Sequence, residues 1–109
     1  MAPEPRRGEV WLAEVDKLRP VVVLTRDPMG RHLNDVIVAP VTSRIRGLST
    51  EVAVGAGEGL RTPSVVNLDH IQLLGRDQLR RAIGQLPAEI MHEVCGALAI
   101  AVDCEPSRR

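Results

Sequence analysis

Valine-rich runs are the feature that most limits how this chain can fold. Fourteen of the 109 residues are valine, phenylalanine and tyrosine are absent, and Trp11 is the single aromatic residue. Because β-branched side chains lose rotamer freedom in helices and pack well on a pleated surface, these runs favour strands. Hydrophobic residues make up 44% of the chain and charged residues 26%, a balance that predicts a packed core rather than disorder.

The apolar runs divide the chain into short predicted strands separated by turn formers. Alternating apolar and polar residues at 8–15 predict a half-buried strand, and the continuous run 20–25 predicts a buried strand with Pro20 at its first position. Residues 27–35 are rich in turn formers and predict a loop. Further strands are predicted at 36–42 (ended or interrupted near Pro40), at 50–54, at 65–74 (one or two strands), and at 81–86 (short strand or turn).

The last segment changes from a strand period to a helix period. After Pro87, apolar residues recur at spacings of three and four, namely Ile90, Met91, Val94, Leu98 and Val102. A helix is predicted there, with His92 on its exposed face. The fold class is therefore mainly β with α: a small antiparallel β-barrel with a C-terminal helix, forming a single domain over residues 1–109 in which residues 1–6 are flexible.

Charge and cysteine content exclude several classes of protein. The 14 basic residues, all arginine except Lys17, balance 14 acidic ones, so a nucleic-acid partner requires a local basic patch. Cys95 and Cys104 form neither a disulfide framework nor a CxxC motif. The glycine-rich stretch 55–64 lacks the GK[ST] ending of a phosphate loop and is predicted to be a turn. No run has the length of a membrane span, and the start lacks a signal peptide, which predicts a cytoplasmic protein without membrane contact.

The histidines do not form a recognisable metal or proton-relay site. The three histidines are far apart in sequence and lack zinc-ligand spacing. Asp69 and His70 are adjacent, so on a strand their side chains would point to opposite faces and could not form a relay. No metal site and no cofactor are predicted, and spacing alone does not indicate an enzyme.

Five stretches in a fixed order carry a family resemblance. They are RRGEVWLAEVDKLRPVVVLTRD, VIVAPVTSRIRG, TEVAV, GLRTPSVVNLDHI and LPAEIMHEVCGAL. Together they span about residues 6–102, and in order and spacing they resemble the MazF/PemK toxins of bacterial type II toxin–antitoxin systems. The resemblance implies an SH3-like barrel, a homodimer, and metal-independent cleavage of single-stranded RNA. In that reaction the 2′-hydroxyl attacks, leaving a 2′,3′-cyclic phosphate and a 5′-hydroxyl.

The resemblance also implies which residues carry the chemistry. The arginine of the family's RP motif corresponds to Arg19, and the threonine after its strand-end proline corresponds to Thr42. Both side chains could meet the charge that develops on the phosphate, since a guanidinium is always charged and can bind oxygens bidentately. Asp69 is a third candidate, which could orient Arg19 or accept a hydrogen bond from a base, or could be a structural carboxylate at a strand end.

Two departures from the family pattern limit this assignment. Only EVDKL separates the first two predicted strands, so the acidic and histidine residues of the longer family loop have no counterpart here. PemK-type members place an arginine two residues before the aspartate, whereas this chain has Asn67. The sequence therefore leaves the general base open.

Recognition of RNA is expected to involve polar loop residues. The predicted RNA-binding set is Arg31, His32, Asn34, Ser43, Arg44, Arg46 and Asn67. With phenylalanine and tyrosine absent, base stacking would use arginine planes or Trp11, although packing in the core or an interface suits Trp11 better. The sequence does not predict the RNA sequence that is cleaved.

The family's protein partner is an antitoxin whose acidic, disordered tail folds onto the toxin dimer. A groove that carries Arg19, Arg44 and Arg46 would suit such a tail. Two other functions stay open at this point: a gyrase poison of the CcdB type, which shares the fold, and a catalytically weakened homologue that binds RNA or an antitoxin.

Overall fold

The computed structural model describes residues 4–27 and 34–104, which form an antiparallel sheet followed by a helix. The described strands are β1 (Glu9–Glu14), β2 (Leu18–Val23), β3 (Asp35–Thr42), β4 (Glu51–Val54), β5 (Ser64–Asn67), β6 (Gln72–Gly75) and β7 (Leu79–Gln85). Helix α1 spans Ala88–Ala101. Three 3₁₀ turns connect strands, at Ala56–Glu58, Leu68–His70 and Arg76–Gln78.

The centre of the sheet is β3, which pairs with three other strands. The strand order is β4-β5-β3-β2-β1-β7, and β6 also pairs with β3. Along one side of β3, the pairing with β6 ends at Val38 and the pairing with β5 begins at Val41. Pro40, which has no N–H to donate, lies between these two pairings. The strand therefore continues through Pro40 to Thr42 rather than ending there.

The two ends of the sheet approach each other through backbone contact. Within the described residues β4 and β7 share no ladder, and the turn Ala56–Glu58 packs against β7 instead. A Cβ added at Gly59 would lie 2.2 Å from the Ile83 carbonyl oxygen, and one at Gly84 would lie 2.0 Å from the Glu58 carbonyl oxygen. Gly59 also has a φ of 91°. The glycine-rich stretch is thus a turn, as predicted, and two glycines bring the backbones together there.

Buried apolar residues form two clusters, one on each face of the sheet. The first lies under α1 and contains Val10, Val22, Leu24, Ala39, Val41, Val52, Val54, Leu60, Val66, Leu68, Leu86, Val94 and Ala97. The second contains Ala13, Val21, Val36, Val38, Leu74 and Leu79, with Trp11 packed against it. Since neighbouring strand residues point to opposite faces, β2 places Val22 in the first cluster and Val21 in the second.

The predicted fold class is confirmed, with shifts at element boundaries. Strand β2 begins at Leu18, so Pro20 is its third residue rather than its first. The predicted segment 65–74 is two strands separated by the turn Leu68–His70, and α1 ends one residue before Val102. His92 is exposed on α1, as predicted.

The predicted flexibility of residues 1–6 falls partly outside the described residues. Within them, Pro5 is buried and the Arg6 N–H donates to Glu9 Oε1 at 2.7 Å. None of the helices in the described part of the chain is long and apolar enough to cross a membrane.

Candidate functional site

Arg19 and Thr42 lie on neighbouring strands, each two residues beyond the last pair of the β2–β3 ladder. In the ladder between β2 and β3, Val21 pairs with Pro40. Continuing this antiparallel register by two residues brings Arg19 opposite Thr42. Residues that an antiparallel register aligns have side chains on the same face of the sheet. The two residues matched to the family motifs, 23 positions apart in sequence, therefore lie at the same end of adjacent strands.

Both side chains lie on the sheet face that α1 does not cover. Val41, next to Thr42, belongs to the cluster under α1, whereas Val21, two residues from Arg19, belongs to the second cluster. Because side chains alternate along a strand, Arg19 and Thr42 share the face of the second cluster. Arg19 also pairs with Ala13 of β1, another member of that cluster.

Arg19 is held by Asp16 from the short connection between β1 and β2. The Arg19 Nε donates to Asp16 Oδ1 at 2.8 Å and its Nη2 donates to Asp16 Oδ2 at 3.1 Å. This bidentate hydrogen bond from Arg19 holds the pKa of Asp16 well below its usual range, and the same bond raises the pKa of Arg19. Of the five guanidinium N–H donors, two are used, so three are left for a ligand.

The Thr42 hydroxyl also retains a donor. Thr42 Oγ1 accepts a hydrogen bond from the Arg44 N–H at 3.1 Å, so its O–H proton is free to donate. Thr42 is half-buried, and Ser43, Arg44 and Arg46, which follow it, are exposed. Three of the predicted RNA-binding residues therefore lie in the loop that begins directly at Thr42.

Asp69 does not contact Arg19. Its Oδ2 accepts a hydrogen bond from the Thr50 hydroxyl, and its N–H donates to Asn67 Oδ1 at 2.9 Å. The expectation that Asp69 lies on a strand is wrong, because Asn67 caps the 3₁₀ turn that contains Asp69 and His70. The local contacts of Asp69 correspond to the structural carboxylate that the sequence left as an alternative.

Asn67 lies on β5, the strand that pairs with the end of β3 at Thr42. It is two residues from Val65, which pairs with Thr42, so its side chain shares the face of Thr42. It also pairs with Glu51 at the start of β4. The capping bond uses Asn67 Oδ1, and the amide nitrogen is left for another partner.

Asn34 lies at the other end of the sheet from Thr42. Asn34 precedes β3 and Thr42 ends it, and at roughly 3.3 Å per residue they are about 26 Å apart along the strand. Asn34 is exposed and its carbonyl accepts from the Arg76 N–H. Arg31 and His32, also predicted to bind RNA, lie outside the described residues.

Two functional candidates were missed from the sequence. The first is Asp16 in the short connection EVDKL, whose carboxylate contacts Arg19. The sequence feature that could have indicated this contact is the spacing of three residues between Asp16 and Arg19. The second is Glu51, whose carboxylate accepts from three consecutive backbone N–H groups of residues 46–48. No spacing rule distinguishes it from other surface glutamates.

Groups that could hold a metal ion are absent from residues 4–27 and 34–104: no three His, Cys, Asp or Glu side chains converge there. Cys95 and Cys104 are both exposed and free. Cys95 Sγ accepts a hydrogen bond from Arg7 Nη2 at 3.0 Å.

Comparison with known proteins places the chain among toxins of one family. The sequence profile of the PemK-like, MazF-like toxins of type II toxin–antitoxin systems matches residues 6–102. Endoribonuclease MazF3 of Mycobacterium tuberculosis is 43% identical over 96 residues, which cover 88% of this chain and 93% of that protein.

Solved structures show the same fold. The Mycobacterium tuberculosis toxin MazF-mt6 superposes with a TM-score of 0.85 at 42% identity, covering 89% of this chain and 98% of that one. A mycobacterial endoribonuclease in complex with its cognate antitoxin superposes with a TM-score of 0.84 at 30% identity, covering 94% and 99%. Since the profile and these relatives cover nearly the whole chain, the protein belongs to the PemK-like, MazF-like toxin family of type II toxin–antitoxin systems.

Proposed function

We propose that this protein is an endoribonuclease toxin that cleaves single-stranded RNA at short sequences, with Arg19 and Thr42 at the scissile phosphate. The observation that carries the proposal is the register of β2 and β3, which aligns these two residues on the open face of the sheet. The membership of the chain in a family with endoribonuclease relatives supports it.

The proposed reaction requires donors where negative charge develops. The 2′-oxygen forms a bond to phosphorus while the bond from phosphorus to the 5′-oxygen of the next nucleotide breaks. The proton leaves the 2′-hydroxyl and another is delivered to the departing 5′-oxygen, so the products are a 2′,3′-cyclic phosphate and a 5′-hydroxyl. The three unused N–H groups of Arg19 and the hydroxyl of Thr42 can donate to the phosphate oxygens, which is the charge stabilisation that the step needs without a metal or cofactor.

Asp16 acts on this step by orienting Arg19. A general base works best when its pKa lies near the working pH, and the pKa of Asp16 is held well below its usual range by the Arg19 hydrogen bond. Asp16 is therefore a poor base. Its bidentate contact fixes the plane of the guanidinium and directs the remaining edge outward. Asp69, engaged with Thr50, supports the neighbouring turn.

RNA is proposed to follow the sheet face away from Arg19. Ser43, Arg44 and Arg46 would contact the backbone or base edges beside the scissile phosphate, with Asn67 next to them. Asn34 would contact a more distant part of the RNA strand, because it lies at the opposite end of β3 from Thr42. Arg31 and His32 remain proposed RNA-binding residues outside the described part of the chain.

The protein partners follow from the family. The relatives include an endoribonuclease solved with its cognate antitoxin. We propose that this chain forms a homodimer whose RNA-binding surface is covered by the acidic tail of its own antitoxin, and that the free toxin inhibits translation and growth. The exposed guanidinium groups of Arg44 and Arg46 supply charge for such a tail.

The test is cleavage of a varied pool of single-stranded RNA in EDTA, with the new 5′ ends mapped by sequencing. Discrete cuts with 5′-hydroxyl ends are expected. Arg19→Ala should lower the rate about 100- to 1,000-fold, as is typical when one preorganised donor is removed. Lys17→Ala is the matched control, because Lys17 is a neighbouring cation for which the structure gives no contact of its side chain with Arg19 or Thr42.

The same assay separates the other candidate functions. A wild-type protein that binds RNA and its antitoxin without cutting would be a weakened homologue. One that leaves RNA intact and inhibits DNA gyrase would be a poison of the CcdB type. Cleavage at an unchanged rate in Arg19→Ala would contradict the assigned site while leaving a nuclease.

A further inference from the structure

We propose that Glu51 is a positioning residue that shapes residues 43–49 into a fixed loop and so sets where Arg44 and Arg46 meet RNA. This inference rests on the proposed function and concerns recognition rather than bond breaking.

The loop is wrapped around the Glu51 carboxylate. Glu51 Oε1 accepts from the N–H groups of Arg46 at 3.1 Å, Gly47 at 2.8 Å and Leu48 at 3.2 Å. The Glu51 N–H in turn donates to the Leu48 carbonyl at 3.0 Å. Hydrogen bonds to an ionised carboxylate are stronger than those between neutral groups, so one side chain fastens three consecutive residues.

The backbone of Gly47 makes this arrangement possible. Its φ is 75°, in the left-handed region that disfavours other residues, and no atom lies within 4 Å of an added Cβ. Glycine is therefore needed at this position for its backbone angle and not for space. A residue in this conformation lets successive N–H groups converge on one anion, a concavity that binds phosphates in other proteins and is filled here by Glu51.

Turning the backbone inward leaves the side chains of the loop outside. Arg44, Arg46, Ile45 and Leu48 are exposed, the last two at 54% and 47%. The guanidinium groups of Arg44 and Arg46 have no hydrogen-bond or ion-pair partner among residues 4–27 and 34–104. The hydrogen-bonded backbone thus fixes the points from which these two side chains extend, while their charges are left for a ligand.

The loop is fastened at both ends next to the catalytic pair. At its start, the Arg44 N–H donates to Thr42, the proposed catalytic hydroxyl, and at its end Glu51 pairs with Asn67. A loop that is already ordered does not have to lose conformational freedom when RNA binds. Loss of Glu51 should therefore weaken RNA binding more than it slows the chemical step.

The chain offers a matched control in Glu58. Its Oε1 accepts the Gly55 N–H at 2.7 Å, so it also organises a turn through its carboxylate. That turn lies at the other end of β4 and carries no arginine. A general loss of turn stability should appear in both variants, whereas loss of RNA positioning should appear only at Glu51.

The first measurement is kcat and KM of Glu51→Gln, Glu51→Ala and Glu58→Gln on a short RNA that the wild type cleaves. We expect Glu51→Ala to raise KM about tenfold with kcat within about threefold, since positioning groups act through substrate placement. Glu51→Gln retains an acceptor oxygen and should lie between the wild type and Glu51→Ala. Glu58→Gln should match the wild type.

The second measurement tests whether Glu51 acts through the two arginines. In an Arg44→Ala/Arg46→Ala background, adding Glu51→Ala should change KM by less than about twofold, because the groups it positions are gone. Hydrogen exchange of the amides of residues 46–48, measured without RNA, should be faster in Glu51→Ala than in the wild type.

Three outcomes would overturn the inference while the wild type still cleaves RNA: an unchanged KM in Glu51→Ala, a fall in kcat without a rise in KM, or a full effect that persists without the two arginines. If the wild type neither binds nor cleaves RNA, the proposed function itself fails, and the role of Glu51 in recognition fails with it.

Discussion

The two faces of the sheet are built from the same strands and differ in what covers them. On one face α1 lies over a continuous apolar cluster that includes Val22, Val41 and Val66. On the other face the apolar cluster is smaller, and beyond it the same strands carry Arg19 and Thr42 toward open space. Period-two alternation lets one strand serve both faces, so β2 and β3 hold the core and present the site at the same time.

The difference separates the residues that hold the fold from those proposed to act on RNA. Truncating a side chain under α1 leaves a cavity in the core. The polar groups on the open face are partly exposed and can form hydrogen bonds with water instead. Substitutions on the covered face should therefore lower the free energy of unfolding and leave kcat/KM of the folded protein nearly unchanged. Substitutions on the open face should lower kcat/KM and leave the free energy of unfolding nearly unchanged. Four experiments test this separation, from the largest expected effect to the smallest.

Leu68→Ala should destabilise the protein most. Leu68 is 1% exposed and belongs to the cluster under α1. Replacing a leucine buried in this way by alanine lowers the free energy of unfolding by about 2–5 kcal/mol. Urea unfolding measures the loss, and kcat/KM at a temperature where the variant is folded should stay within about twofold of the wild type. Leu73→Ala, at a leucine that is 63% exposed, is the control and should change stability by less than about 0.5 kcal/mol.

Thr42→Val should have the opposite profile. The substitution keeps the shape and removes the hydroxyl, so cleavage should fall about 100- to 1,000-fold while the melting temperature changes little. Thr42→Ser retains the hydroxyl and should recover most of the rate. A large drop in melting temperature, with the cleavage rate per folded molecule unchanged, would mean that Thr42 stabilises the fold and does not act in cleavage.

Gly84→Ala should destabilise through backbone contact. Its Cβ would meet the Glu58 carbonyl oxygen, so the two ends of the sheet would separate, at a cost of about 1–3 kcal/mol for overpacking. Gly96→Ala is the matched control, because Gly96 lies in α1 with nothing within 4 Å of an added Cβ and should stabilise by about 0.5–1 kcal/mol. Equal effects in denaturant melts of the two variants would contradict the close approach.

The pH dependence should show the smallest effect. Hydrogen bonding to Arg19 lowers the pKa of Asp16, so the ionised form is favoured in the folded protein. The stabilisation from this contact is then complete above the ordinary aspartate pKa and is lost as pH falls through the lowered pKa of Asp16 in the folded protein. Between about pH 5 and 8, log kcat/KM of the wild type and of Asp16→Asn should run parallel. A step in the wild-type profile that is missing from Asp16→Asn would instead assign proton transfer to Asp16.

Much of the fold could be predicted because strand and helix periods are local. The valine runs indicated the strands, and the spacing after Pro87 indicated α1. The boundary errors have local causes too. Pro20 does not start β2, since it is accommodated inside the β1–β2 ladder opposite Leu12, and Asn67 ends β5 by capping a turn.

The site was predictable only as two separate residues. The motifs around Arg19 and Thr42 predicted each of them as a candidate, but their alignment depends on the register of two strands separated by a loop. The contacts of Asp69 with Thr50 and of Glu51 with the loop after Thr42 depend on side-chain direction in irregular segments. Such segments have no sequence periodicity from which that direction could be predicted.

The sequence by itself determined the strand and helix pattern, the order of motifs that identifies the toxin family, and the residue types able to bind a phosphate. The tertiary structure decided that the strand register aligns Arg19 with Thr42, that Asp16 holds the Arg19 guanidinium, and that Asn34 lies at the far end of the sheet. The physical reason is that hydrophobic periodicity acts over a few residues, whereas strand register and loop closure join groups that are distant along the chain.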